Sequence, residues 1–229
     1  MKLDRRSVLA GSAAAFAAPF LFAATPSRAD AKRQSLVDQC VSSARKVLTG
    51  RDYPDATRYM GKARAVLIIP ELVQGGFIIG AAGGRGALSV RTGAGNWSYP
   101  AFYDMGSGSL GLQIGGKVSE IVFMIMTEKG LNAILNSKFK FGAEAGVTMV
   151  AVGTGIEGAT TAAGGADIMA YSNSNGLFAG ASIEGSFLDA DADWNALYYG
   201  QGATARAIVI DRRFTNPGAE PLRQFLSRW

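Results

Sequence analysis

The chain has no histidine and one cysteine, Cys40, in 229 residues. Without histidine there is no Ser-His-Asp or Cys-His nucleophile, and the commonest ligand of catalytic zinc is missing. A single cysteine cannot close an internal disulfide. Cys40 falls on the apolar arc of a helical pattern and reads as a small core hydrophobe. Past residue 30 no apolar run approaches the ~18 residues of a bilayer-spanning helix. A strong charge bias is also lacking in the body. The formal net charge is +5, but Lys2, Arg5, Arg6 and Arg28 against Asp4 supply three of those charges at the very start. From Asp30 to Arg64 there are eight basic and four acidic residues; the remainder holds eleven and thirteen. Basic character therefore belongs to the leading helical part, a poor footprint for nucleic acid, and no nucleic-acid partner is expected.

What is present begins with a leader. Arg5-Arg6 precede an Ala-rich apolar run from Val8 to Ala24, and Ser27-Arg28-Ala29 offers small residues before a cut. These features predict a twin-arginine export signal over residues 1–29, cleaved after Ala29, and a periplasmic mature chain. The run is interrupted by Gly11 and Pro19 and is short for a membrane anchor. Residues 30–229 suffice for one domain with its own core.

In Ala31–Thr49 the apolar residues Leu36, Val37, Cys40, Val41, Ala44, Val47 and Leu48 recur in steps of three and four, which predicts an amphipathic helix closed by Gly50. A short helical turn is expected after Pro54. The body then reads as strands: Ala63–Ile69, Gly76–Ala82, Gly86–Arg91, Trp97–Met105, Leu110–Lys117 and Val118–Thr127. Ile121–Met126, apolar on both faces, should lie centrally. A short helix is expected over Glu128–Asn136, then strand at Phe139–Val152 and Ala166–Ser172, a hairpin turn at Asn175-Gly176 and strand at Leu177–Leu188. Asp189–Tyr199, Thr204–Ile210 and Pro217–Trp229 read as helices, with strand an alternative for Ala207–Ile210. The 30 glycines, many inside strand patterns, suit kinks and close backbone approach. The predicted fold is α+β: a strongly curved antiparallel sheet or partial barrel, an N-terminal amphipathic helix and short C-terminal helices.

Motifs for chemistry are few. Ser43-Ala-Arg-Lys46 has serine–lysine spacing but lies on the amphipathic helix without companion motifs. Gly106-x-Gly108-x-x-Gly111 and Gly153-x-Gly155-x-x-Gly158 match the dinucleotide fingerprint, yet neither opens a helix after a strand, and both read as turns or bulges. Asp189, Asp191 and Asp193 resemble the start of a calcium loop. Trp194 and Gly200 stand where that loop needs Gly and Glu, so capping of the next helix is the better reading. The carboxylates Glu71, Asp104 and Glu144 form no pair of useful spacing for glycosidic or lipid hydrolysis. No catalytic residue, metal ligand or cofactor is expected.

The pieces Val66–Pro70, Gly75-Gly-Phe77, Gly83-Gly-Arg-Gly-Ala-Leu88 with Arg91, and Trp97-Ser-Tyr-Pro-Ala-Phe102 resemble the SYLF-domain family. So do Gly111-Leu-Gln-Ile-Gly115, Leu131–Leu135, Lys138–Ala143, Ala170-Tyr171, Gly176–Gly180 and Tyr198-Tyr-Gly200. In eukaryotes that family is a phosphoinositide-binding, actin-associated module. The resemblance implies lipid binding through the leading basic helix, and it nominates Lys32, Arg33, Arg45, Lys46, Arg51 and Lys62. Cations would attract an anionic phospholipid or envelope membrane surface, and the apolar residues of the first helix would supply depth. The same helix could instead pack on the sheet, with only its basic rim free. A periplasmic setting argues against actin. The alternative is a non-enzymatic protein-interaction module of the envelope presenting Trp97, Tyr99 and Tyr103.

Overall fold

The computed structural model describes residues 28–76, 79–110, 117–136, 138–143, 146–154, 165–175, 183 and 185–229. The expected leader (to residue 27), most of the Leu110–Lys117 strand, Glu144, the second glycine fingerprint beyond Thr154 and Gly176 of the hairpin turn lie outside them.

Two helices open the fold: α1 (Arg28–Thr49) and α2 (Ala56–Met60). The predicted stripe of α1 is buried at Leu36, Val37, Cys40, Ala44, Val47 and Leu48. Gly50 ends the helix, its N–H donating to the Lys46 carbonyl at 3.0 Å. Next come β1 (Ala65–Gly76), β2 (Ile79–Gly93), β3 (Asn96–Trp97), β4 (Ala101–Leu110) and β5 (Lys117–Ile125). After α3 (Glu128–Leu135) follow β6 (Phe139–Lys140), β7 (Met149–Thr154), β8 (Ile168–Asn175) and β9 (Phe187–Ala190). The tail holds α4 (Ala192–Tyr199), α5 (Ala205–Val209), a 3-10 turn at Pro217–Ala219 and α6 (Glu220–Leu226).

The strands form one strongly curled half-barrel in the order β6-β9-β4-β2-β1-β5-β8-β7, with β3 paired to β2. All pairings are antiparallel except β7 with β8, which is parallel. Each face of the sheet carries a core, so its strands alternate between the two. Val66, Ile68, Ala87, Phe102, Val122 and Met124 pack with α1, α2 and α6. Leu67, Ile69, Leu88, Tyr103, Ile121 and Phe123 pack with α3, α5 and Phe139–Phe141. This two-sided burial explains the apolar run in β5, which is central as expected.

Several local readings differ from the sequence expectation: β1 runs through Pro70 to Gly76 instead of ending at Ile69, and Asp189 and Ala190 end β9 instead of opening a helix. Gly76 ends β1, while Ile79–Ala82 of one expected strand and Gly86–Arg91 of the next lie in one long strand, β2. Its glycines do not break it; they fit against a bulge in β1 between Ile68 and Glu71. A Cβ at Gly84 would sit 2.4 Å from the Glu71 carbonyl oxygen, and one at Gly86 2.4 Å from that of Ile68. Close backbone approach is what these glycines permit. The expected Trp97–Met105 strand is divided into β3 and β4 by Ser98-Tyr99-Pro100. The expected Phe139–Val152 strand is divided into β6 and β7, with Gly142 and Gly146 at φ of 80° and 79°. Ala207–Ile210 resolves as helix, α5, capped by the Thr204 hydroxyl on the Ala207 N–H.

Candidate functional site

α1 lies across the strands instead of along them. Near its start, the Arg33 guanidinium is 5.9 Å from the Trp194 ring of α4. Near its end, Lys46 Nζ reaches Glu120 of β5 at 2.6 Å. The six nominated cations divide accordingly. Lys32, Arg45, Lys46, Arg51 and Lys62 are exposed. Arg45 lies over the Phe225 ring at 5.2 Å. Arg33 is 3% exposed and its Nη2 donates to Asp30 at 2.9 Å, so it holds the start of α1 to α4 and does not face outward. The α1 stripe expected to supply depth in a membrane is consumed by the core. Any surface contact through this helix is therefore electrostatic.

Beside the exposed flank of α1 runs a groove whose floor is the sheet face that α1 occupies. One part, about 410 Å³, lies between Ser42 and Lys46 and the β1 and β5 side chains Glu71, Val118 and Glu120. The adjoining part, about 660 Å³, continues past Val73, Gly83 and Arg85 to Phe187 and Trp194. Gln39 and Glu71 belong to both. At the far wall Arg85 Nε donates to Asp104 Oδ1 at 2.9 Å and to Asp191 Oδ2 at 3.0 Å. Its guanidinium lies 4.4 Å from the Trp194 ring. Burial raises the Asp104 carboxyl above the ordinary carboxylate range; nearby Asp191 adds to this, and Arg85 only partly opposes it.

The acidic run reads as capping. Asp191 Oδ1 accepts from the Trp194 N–H at 2.9 Å at the start of α4, while its other oxygen holds Arg85. Among the described residues no group of three His, Cys, Asp or Glu is arranged to hold a metal. Gly106 and Gly108 lie within β4, so the first glycine fingerprint is strand there and not a phosphate loop. Ser43 is buried and Lys46 is engaged by Glu120. Glu71 and Asp104, which show no useful spacing in sequence, line one cavity because β1 and β4 flank β2.

The aromatic surface expected for a protein partner is not one. Trp97 and Tyr103 are each 1% exposed, because β3 tucks the first beneath Arg91 and β4 turns the second into the core with α5. Tyr99 is half-buried, under the Arg223 guanidinium at 4.3 Å. Arg91 proves to be a structural lock. Its Nε donates to Ala63 O at 2.8 Å, Nη2 to Met60 O at 2.7 Å and Nη1 to Trp229 O at 2.7 Å. It thereby joins α2, β2 and the segment after α6. Arg85 has no motif of its own beyond its place inside the Gly83–Gly86 cluster, and Asp191 and Trp194 stand out in the sequence only as part of the acidic run before α4.

With this geometry described, the chain compares as follows. A family model described as Ysc84, Las17-binding protein actin regulator, matches residues 106–229. The chain is 29% identical over 171 residues to "Protein YSC84" of Saccharomyces cerevisiae, covering 73% of this chain and 36% of that protein. It is 30% identical over 168 residues to "LAS seventeen-binding protein 3" of the same organism, with 72% and 36% covered. It is 28% identical over 183 residues to "SH3 domain-containing YSC84-like protein 1" of Homo sapiens, with 78% and 53% covered. The chain thus spans about a third to a half of the length of the curated relatives it matches.

Proposed function

This chain belongs to the Ysc84, or SYLF-domain, family, and from that premise we propose that it is a non-enzymatic module that binds an anionic membrane surface through the outer side of α1 and the corner after it. One observation carries the reading. α1 buries its apolar stripe and leaves Lys32, Arg45 and Lys46 outside, with Arg51 and Lys62 following within one short stretch. Each basic side chain held near an anionic surface contributes on the order of 1 kcal/mol. With Lys46 held by Glu120, the other four together give salt-sensitive binding without insertion. The twin-arginine leader supports a periplasmic setting, where actin is absent and envelope phospholipid is the available surface.

The test is sedimentation with vesicles of phosphatidylglycerol and phosphatidylcholine. Charge reversal at Arg51 and Lys62, neither of which supports the core, should lower the bound fraction at least tenfold, as should raising salt. Retention of binding by that double variant at high salt would refute the mechanism. A second reading, a protein-interaction module, draws on the groove beside α1. Among the relatives, the name LAS seventeen-binding protein 3 speaks of such an interaction in that protein.

A further inference from the structure

A second basic surface stands on the side of the sheet that α1 does not cover. α5 packs Ala205, Ile208 and Val209 into the core with Leu67, Ile69 and Phe123, whereas α1 packs with Val66, Ile68 and Val122. Arg206 of α5, and Arg212 and Arg213 just after it, are exposed. The chain doubles back there, the Arg213 N–H donating to the Ala207 carbonyl at 3.0 Å, so the three arginines surround one short helix. Arg206 Nη2 reaches Asn136 Oδ1 at the end of α3 at 3.4 Å, and exposed Lys138 follows shortly after Asn136. Among the described residues none of these four cations is ion-paired. The acids beside them are Asp211, in the same turn, and half-buried Asp189 of β9, which acts on the Tyr103 hydroxyl together with Arg206. Glu128 and Lys129 of α3 are held by Arg64 and Asp167. Lys140 of β6 pairs with Phe187 and shares its face of the sheet, that of α1.

Two observations point to a phosphate-bearing partner. Arg212 is held at φ 55°, the one non-glycine residue at positive φ among those described. Helices commonly end on a glycine in this left-handed conformation, and an arginine there carries a steric cost that glycine avoids. What the position gains from arginine is outward charge. Three of the four cations are also guanidiniums, whose fork matches a pair of phosphate oxygens. Two helix diameters of about 10 Å, with the sheet between them, hold the α1 and α5 surfaces on the order of 30 Å apart, several Debye lengths at physiological salt. A flat bilayer laid on the outer side of α1 therefore leaves the α5 arginines facing away from it. We propose that Lys138, Arg206, Arg212 and Arg213 form a second contact for phospholipid phosphates, through which a chain docked by α1 bridges to another anionic bilayer. The inference rests on the membrane reading of α1 and adds a partner on the far side. With two acids beside it, this patch holds a vesicle less tightly than the α1 side does, so it acts once α1 has docked.

The experiment mixes donor-labelled and acceptor-labelled vesicles of phosphatidylglycerol and phosphatidylcholine with the protein. It reads energy transfer between the two populations, alongside sedimentation. The wild-type chain should bring the populations together. Arg212→Glu combined with Arg213→Glu should lower transfer about tenfold or more, while the sedimented fraction changes less than about twofold. Arg51→Glu with Lys62→Glu should lose both signals, because α1 docks first. Arg212→Gly relieves the left-handed backbone, so it should melt no lower than the wild type and still bridge less. A lower melting temperature with unchanged transfer would make Arg212 a structural residue and overturn the proposal. Sedimentation of the wild type without transfer overturns the bridge and spares the α1 reading; no sedimentation at all refutes both. Transfer that survives Arg212→Glu with Arg213→Glu would assign clustering to a pair of chains each docked by α1, and overturns the proposal. Capture of soluble polyphosphate by the four cations, without transfer, overturns it as well.

Discussion

Replacing Asp167 by asparagine should destabilise the fold by about 2–3 kcal/mol at neutral pH, and the effect should fade in acid. Asp167 is 5% exposed and stands just ahead of β8. Its Oδ1 accepts from the Thr127 hydroxyl at 2.6 Å, the N-cap of α3. Its Oδ2 accepts from the Thr148 N–H at 2.9 Å, the Thr148 hydroxyl at 3.1 Å and Lys129 Nζ at 2.8 Å. One carboxylate thus joins α3, β8 and the entry to β7. Hydrogen bonds to a charged group contribute about 1.5–3 kcal/mol each. Asparagine retains a carbonyl for one side only, and the half-exposed Lys129 adds little, which gives the range above. Burial alone would raise this carboxyl; the bonds from Lys129, Thr127 and Thr148 outweigh burial and hold it well below the usual range. A depressed folded value means that the stabilisation is complete above the unfolded value of about 3.9 and is lost progressively as pH falls toward the folded one. Urea unfolding of both chains between pH 7 and pH 2.5 measures this. A gap below about 0.5 kcal/mol at pH 7, or one equally large at pH 2.5, would refute the reasoning.

Two further outcomes concern arginine and carboxylate placement. Arg91→Lys cannot serve three carbonyls on three sides and gives up the 4.4 Å stacking on Trp97; a loss of about 2 kcal/mol is expected. Hydrogen exchange should quicken in α2 and α6 before it does in the central strands. Asp104→Asn should be neutral or slightly stabilising at pH 7, by less than about 1 kcal/mol because the side chain is 43% exposed. The folded carboxyl is raised, so wild-type stability should climb as pH falls from the folded value toward about 3.9, closing the gap to the variant. A variant clearly weaker at pH 7 would show that Arg85 needs the Asp104 charge.

The fold was more legible than the site. Period-3.6 apolar spacing located α1 down to Gly50, and the doubly apolar Ile121–Met126 marked a central strand. These are local patterns that burial reads directly. The glycine cluster at Gly83–Gly86 misled as punctuation, since its role is close contact with a bulge on another strand. Trp97 and Tyr103 looked presentable because aromatic residues serve surfaces and cores alike, and only their neighbours decide which. Arg85 with Asp104 and Asp191 spans strands and a helix up to 106 positions apart, a distance over which a single sequence carries no pairing signal.

The amino-acid order by itself determined the class of fold, the amphipathic character of α1 and the uneven placement of charge, because each depends on spacing within a few turns or strands. Tertiary structure alone decided which cations face water, turning Arg33 inward and leaving Arg51 and Lys62 out. It also set Lys138 near the arginines of α5, on the far side of the sheet from α1. Strand order and the crossing direction of α1 fix those neighbours, and both arise from packing between segments far apart in the chain.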